Sequence, residues 1–349
     1  MIAQFLEYLS KEVDLTVISV AENDESLIRT YKHIPLLKKS FNRYFDWSLV
    51  SKLGSIIKRE KVDAVIWEHP YYAWLASIIK KRTHIQTILH THNIEHRRFE
   101  STGNWWWWIL RKYEKWFFNL ADYILFVSVE DRSFATQKWN IKKEKCIELA
   151  SGVPISQYPA DREHSRQTLR QSHRIGKDEK VLLFNGLLSY KPNLDALRVI
   201  LDEINPRLLT HTDFKYKIII CGKGLPTGLD ELKNFSEKNI IYAGFVPDIE
   251  PYFKGADLFL NPVQTGGGIK TKMVEAIAFG TTVIATKSGA TGIHPEVCGD
   301  KLIVVKDDDW AAFAEAIIEN AHNRNVTPAS YYEFYYWGSI VKRLLESFT

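Results

Sequence analysis

Residues 261–293 read NPVQTGGGIKTKMVEAIAFGTTVIATKSGATGI. An apolar strand ends at Asn261-Pro262, three glycines follow, a helical pattern runs from Ile269 to Phe279, and Gly280 closes it before the next apolar strand. A glycine-rich turn entering a helix presents free backbone N–H groups and the positive end of the helix dipole, which suits a phosphate. Gly266, Gly267 and Gly268 allow that close approach. Ile269, Met273, Ala276, Ile277 and Gly280 follow the buried spacing, which leaves Lys272, Glu275 and Phe279 on another face. Lys272 offers an ammonium suited to a diphosphate, and Glu275 a carboxylate able to accept two hydroxyl hydrogen bonds, as from a ribose diol. The same spacing also fits an ordinary i,i+3 ion pair on a helix surface.

A second group lies in ILHTHNIEHRRF (88–99). His90 and His92, two apart at the end of an extended run, face one side. His92 and His96 have no nearby cysteine or third ligand to make a zinc site, so the sequence predicts no metal. Asp307-Asp308-Asp309 follows the strand KLIVVK and precedes WAAFAEAIIENA, which reads as helix capping. Trp105-Trp106-Trp107-Trp108 is unusual, because consecutive helical residues point about 100° apart and four such rings cannot share one buried face. Arg111, Lys112 and Lys115 follow, and aromatic rings beside cations suit a lipid headgroup interface. A contact within the domain or between two copies fits the same residues.

These groups need strands and helices to hold them. The first half alternates DLTVISV (14–20), VDAVIWE (62–68), IQTILH (85–90) and DYILFVS (122–128) with helical runs near 48–59, 71–80 and 105–119. A polar, proline-bearing linker is expected around 150–178. A second series follows: KVLLFNG (180–186), KYKIIICG (215–222), NIIYAG (239–244), DLFLNP (257–262), TTVIAT (281–286) and KLIVVK (301–306). Near-continuous apolar strands between helices predict parallel sheets covered on both faces, hence two doubly wound α/β domains with ligands at the carboxyl ends of the strands, in a cleft between domains. The chain opens directly in a helical pattern, so the usual central first strand of the N-terminal domain is expected to be missing.

With 349 residues, 45% hydrophobic and 25% charged, two cores are affordable and bulk disorder is excluded. Residues 1–150 carry 23 Lys and Arg against 18 Asp and Glu, and the remainder 23 against 24, so the basic surplus sits in the first half. Nothing in this balance points to nucleic acid. Three widely spaced cysteines, Cys146, Cys221 and Cys298, and the lack of a signal-peptide pattern or a spanning apolar run point to the cytoplasm, with the inner face of its membrane open to surface contact.

The order and spacing of GFVPDIEPYFKGADLFLNPVQTGGGIKTKMVEAIAFGTTVIATKSGATGI (244–293), with FNGLLSYKPNLDAL (184–197) and ILHTHNIEHRRF (88–99), resembles the retaining GT-B fold glycosyltransferases of family 4, the group 1 type. The resemblance implies an acceptor domain over 1–158, a nucleotide-sugar domain over 159–330, and a last helix within 331–349 that crosses back onto the first domain. It places the ribose on Glu275, the diphosphate near Lys272 and the glycine turn, and the base beside Phe245 and Val246. Where many members carry a second glutamate for the donor sugar this chain has Gly267, leaving the sugar to the amides of Gly266 to Ile269. Gly186 is matched, but Leu187 stands where an arginine often follows, so Lys191 is expected to share the diphosphate charge with Lys272. Asn185 to Asn193 also reads as a plain turn capping the next helix. By the same resemblance His92 sits beside the donor sugar; a loop histidine with no role fits the residues equally.

The implied reaction moves a sugar from a nucleotide-sugar co-substrate to a glycan or lipid-linked acceptor hydroxyl with retention, in cell-surface polysaccharide synthesis, with no further cofactor and no metal. Two readings compete. A nucleotide-sugar 2-epimerase needs acidic groups around the sugar, and 264–272 has none; a non-catalytic or truncated member is suggested by the missing strand.

Overall fold

A computed structural model describes residues 2–21, 30–101, 103–266 and 269–348. The chain divides into two compact units, Met1–Gly152 with Trp337–Thr349, and Val153–Tyr336.

The first unit holds a four-stranded parallel sheet in the order β3 (Ala64–Glu68), β4 (Gln86–Thr91), β5 (Tyr123–Phe126), β6 (Cys146–Glu148), and a separate parallel pair, β1 (Thr16–Val20) and β2 (Lys32–Leu37). Alternation along the strands covers both faces of the larger sheet. Trp67, Leu89, Ile124 and Phe126 pack with Ala73, Leu75, Phe117 and Phe118 on one side. Ile88 and Leu125 pack on the other with Phe5 and Leu9 of the opening helix Ile2–Leu9 and with Trp337, Ile340 and Leu344 of the helix Trp337–Glu346.

The second unit is a six-stranded parallel sheet ordered β12 (Leu302–Val305), β11 (Thr282–Thr286), β10 (Leu258–Asn261), β7 (Lys180–Asn185), β8 (Tyr216–Cys221), β9 (Ile240–Gly244). Its first strand is central and the order reverses between β7 and β10, the topological switch point of a doubly wound sheet. Those two strands pair only at Leu258 with Leu182 and Phe259 with Leu183, so their carboxyl ends, Asn185 and Asn261, lie beyond the pairing. In the first unit the pair β1 and β2 shares no ladder with the four-stranded sheet among the described residues.

Three local readings change. The stretch 150–178 contains a helix, Arg162–Ser172, whose Arg166 reaches the buried Asp257 at 2.5 Å, so much of it is packed structure rather than linker. The last helical pattern is two helices, Ala329–Tyr335 in the second unit and Trp337–Glu346 in the first, parted at an extended Tyr336. Strands β2 and β6 were not apparent in the sequence: one carries Pro35 and begins with a lysine and a histidine, and the other is three residues long.

Candidate functional site

In the second unit the helix Thr271–Ala278 starts just past the carboxyl end of β10. Met273, Ala276 and Ile277 are buried as the spacing predicts; Val274 and Phe279 join them, Phe279 stacked on Phe253 at 6.2 Å instead of sharing an open face with Lys272 and Glu275. The carboxyl end of this helix is tied down by hydroxyls: Tyr331 donates to the carbonyl of Val274, Tyr332 to that of Ala278 and Thr327 to that of Ile277, at 2.6–2.7 Å. These bonds fasten the last two turns of the helix to the residues behind it, which holds its face in place.

That face carries two charges with no ion-pair partner among the described residues. Lys272 Nζ donates to the carbonyl of Asn185 at 2.9 Å and to Asn193 Oδ1 at 3.1 Å, and lies 4.8 Å above the Phe184 ring. Both oxygens are neutral. Burial, with the Lys270 charge adding to it, pulls the Lys272 ammonium down to about 7. Glu275 is half-buried and its carboxylate has no hydrogen bond or ion pair with any described residue; burial pushes its pKa up. The i,i+3 ion pair that the spacing also allowed is absent among the described contacts. The side-chain oxygens of Asn185 and Asn261, at the two strand ends of the switch point, are buried without partners.

Neighbouring loops complete the place. A Cβ on Gly186 would come within 2.7 Å of Asn193 Nδ2, so glycine here lets Asn193 reach both Lys272 and the carbonyl of Leu187. Gly266, at φ +91°, accepts from Lys270 at 3.0 Å, and Ile269 packs against Gly292. Gly267 and Gly268 lie outside the described residues. Phe245 is exposed with Lys223 5.8 Å over its ring, and Val246 is half-buried beside it. Lys191 is exposed and paired with Asp195 at 2.5 Å, while Asn193 of the same segment contacts Lys272.

In the first unit, parallel register sets Glu68 opposite His90 at the ends of β3 and β4. His90 Nδ1 meets Glu68 Oε1 at 3.0 Å, and His92 Nε2 meets Oε2 at 2.8 Å. Burial alone would raise the Glu68 pKa, but the two imidazoles outweigh it and hold the carboxyl below its usual range. The next residue, His69, adopts φ 67°, ψ 160°, a region that side chains avoid, with its ring 4.6 Å from that of His92. Behind this edge, Glu95 accepts from Tyr71 and Arg98 at 2.6 Å. The buried Glu114 accepts from the backbone N–H groups of Glu95 and His96 and pairs with His96 Nδ1 at 2.8 Å, fixing the start of the helix Glu95–Ser101. Glu68, His90 and His92 offer three ligand atoms within 4.8 Å of one another, a set that a divalent cation could use. Glu68 is not singled out by any motif; its signal is its place as last residue of VDAVIWE, paired with the strand bearing the histidines.

The tryptophan run divides, with Trp105 and Trp106 in a turn and the helix beginning at Trp107. Trp105 and Trp108 are exposed, while Trp106 lies 4.7 Å from Phe99 and Trp107 stacks toward His96. Phe41, Phe45 and Trp47 are more exposed than Trp108, and a chain of contacts through Trp74 and Tyr113 joins Trp47 to the half-exposed Trp116. Among the described residues no helix is long and apolar enough to cross a membrane.

Comparison with known proteins follows the same division. Residues 1–157 match the family described as Glycosyltransferase Family 4, and residues 179–323 the one described as Glycosyl transferases group 1. The chain is 25% identical over 336 residues to an uncharacterized 44.6 kDa protein in the cps region of Klebsiella pneumoniae, covering 92% of this chain and 78% of that one. It is 23% identical over 280 residues to the alpha-monoglucosyldiacylglycerol synthase of Streptococcus pneumoniae, covering 71% of this chain and 61% of that one. In structure it is similar to a glycosyltransferase from Rickettsia africae, with a TM-score of 0.73 at 15% identity over 99% of this chain and 93% of that one. It is also similar to Anabaena Alr3699/HepE, solved with UDP and glucose, with a TM-score of 0.68 at 15% identity over 99% and 95%.

Proposed function

The chain belongs to the family 4 and group 1 glycosyltransferases, matched in turn along its two halves, and from that premise we propose that it transfers a sugar from a nucleotide-sugar to an acceptor hydroxyl with retention of configuration. One observation carries this reading: at the switch point of the second unit, a carboxylate with no hydrogen-bond or ion-pair partner among the described residues and an ammonium bonded there only to neutral oxygens stand three residues apart on one helix. Glu275 would accept the two ribose hydroxyls. Lys272, the turn at Gly266 to Ile269, Gly186 and the helix dipole would meet the diphosphate, with Phe245 and Val246 at the base.

Retention would follow from front-face attack, in which the leaving phosphate and the incoming hydroxyl share one face of the sugar. A phosphate oxygen then takes the acceptor proton, and Lys272 stabilises the charge that develops there. In the first unit His92 would bind a sugar hydroxyl. Phe41, Phe45, Trp47, Trp105 and Trp108, with Lys38, Lys39, Arg43 and Lys112 nearby in sequence, suit a headgroup surface where a lipid-linked acceptor is found. The relatives support a cell-surface product: one is coded in a cps region and another makes a glycosyl lipid. Undiminished binding to anionic vesicles by a Trp105→Ser, Trp108→Ser variant would count against the surface.

The donor site is tested by calorimetric binding of UDP, GDP, ADP and TDP to the full chain. One nucleotide should bind, and Glu275→Ala should weaken it by about 1.5–3 kcal/mol, the usual loss for a hydrogen bond to a charged group. Unchanged affinity in that variant removes Glu275 from the ribose.

A further inference from the structure

We propose that Glu68 is the positioning residue of the first unit's site: held between two histidines, it fixes the ring of His92 and confines the single N–H proton of the neutral imidazole to Nε2, so that Nδ1 is presented as a bare acceptor. The idea rests on the reading above that His92 meets a substrate hydroxyl, and it says how that histidine is prepared.

The geometry supplies each step. An ionised carboxylate only accepts hydrogen bonds, so a nitrogen 2.8 Å from it carries a proton. For His92 that nitrogen is Nε2. His92 Nδ1 has no partner among the described residues and is not sealed from solvent, which leaves its lone pair open to a hydroxyl. His90 applies the same rule to the other oxygen, with Nδ1 at 3.0 Å, and is almost wholly buried. Two donors on two oxygens stop the carboxylate from rotating. His90 Nε2, bare by the same argument, is buried with no partner, as a nitrogen that bears no hydrogen in an apolar setting against Phe5 can be.

The strained backbone next door supports a built site. His69 holds φ 67° immediately before Pro70, and its N–H donates to the carbonyl of His90 at 3.0 Å. That bond ties the turn leaving β3 to β4 and keeps Glu68 beside the histidines. Strain of this kind persists where surrounding structure over-determines it, and it concentrates at functional sites. The groups facing the cluster are His69, His90 and His92, with Glu95 Oε1 3.7 Å from His69 Nδ1.

Histidine side-chain nitrogen NMR on the uniformly labelled full chain reads the tautomer directly, the His92 signals being those lost in His92→Gln. At neutral to mildly alkaline pH, wild type should show His92 protonated at Nε2 and bare at Nδ1. In Glu68→Gln the amide offers one accepting oxygen and one donating NH2 group, so the imidazole facing the NH2 must accept instead of donate; the His90 and His92 signals should lose their single-tautomer pattern. Intact nucleotide binding by the second unit controls for folding. A His92 protonated at Nδ1, or an even mixture in wild type, overturns the proposal without any variant, and an unchanged tautomer in folded Glu68→Gln does the same. Activity separates the underlying reading: with the donor that binds, Glu68→Gln should lower kcat roughly tenfold or more with nucleotide affinity unchanged, and have no further effect in a His92→Ala background. If the tautomer results hold but His92→Ala keeps full activity, the substrate role of His92 fails while its orientation by Glu68 stands.

Discussion

The two units handle charge at their sheet edges in opposite ways. In the first, acidic side chains near the ends of β3 and β4 are occupied by protein: Glu68 by two histidines, Glu95 by Tyr71 and Arg98, Glu114 by His96 and two backbone N–H groups. In the second, among the described residues, Lys272 bonds only to neutral oxygens and Glu275 has no hydrogen-bond or ion-pair partner. Paired charges shape a rigid edge; unpaired ones are an unsatisfied demand that a ligand of matching chemistry can meet. The ionisable groups of the first unit therefore serve chiefly to orient, and those of the second to bind.

If that contrast is right, substitution should affect different quantities in each unit. The largest change is expected at Glu114, wholly buried on the helix Trp107–Leu120. Glu114→Ala strands two backbone donors and the His96 ring, and breaking such a buried pair costs about 3–5 kcal/mol. Urea unfolding of the variant measures it; a loss below about 1 kcal/mol would mean that these pairs do not set the edge. At Lys272 the sign is reversed. Lys272→Met removes an ammonium that burial disfavours, so the free protein should melt no lower than wild type, while nucleoside diphosphate affinity falls by about 1.5–3 kcal/mol. A variant that is destabilised yet binds normally would make Lys272 a structural residue like those of the first unit.

The comparison also marks how far the sequence could be read. Periodicity located all six strands of the second unit and the helix that carries Lys272 and Glu275, because continuous apolar runs bounded by glycine, proline and asparagine have few other solutions. It could not reveal what those side chains touch. Asn193 reaches Lys272 across 79 residues, and Glu68 reaches His90 through parallel register, a pairing no local pattern encodes. Spacing alone also cannot distinguish Lys191 as a second cation from an exposed partner of Asp195, the pairing it makes in this structure. The tryptophan run was legible in one respect, that its members could not all be buried; the aromatic residues at 41–47 that extend the exposed surface gave no such geometric contradiction.

The finest test of the contrast is protonic. In the free protein Lys272 loses its proton near pH 7, against an ordinary value of 10.5. Below about 7 the folded and unfolded chains both hold that proton and the full burial penalty applies; between there and 10.5 only the unfolded chain holds it, so the stability of the free protein should rise with pH through this window. A bound diphosphate favours the charged ammonium and raises its pKa. At pH 8.5 nucleotide binding should therefore take up a proton, toward one per site, visible as a binding enthalpy that differs between phosphate and Tris in proportion to their ionisation heats. Lys270, also shifted down by burial, is the other candidate source. Lys272→Met distinguishes them: the uptake should vanish with Lys272 and persist if Lys270 is responsible. No uptake in wild type would mean that the diphosphate leaves Lys272 as it found it, and that the charge on the second unit's helix is as settled as the pairs on the first unit's edge.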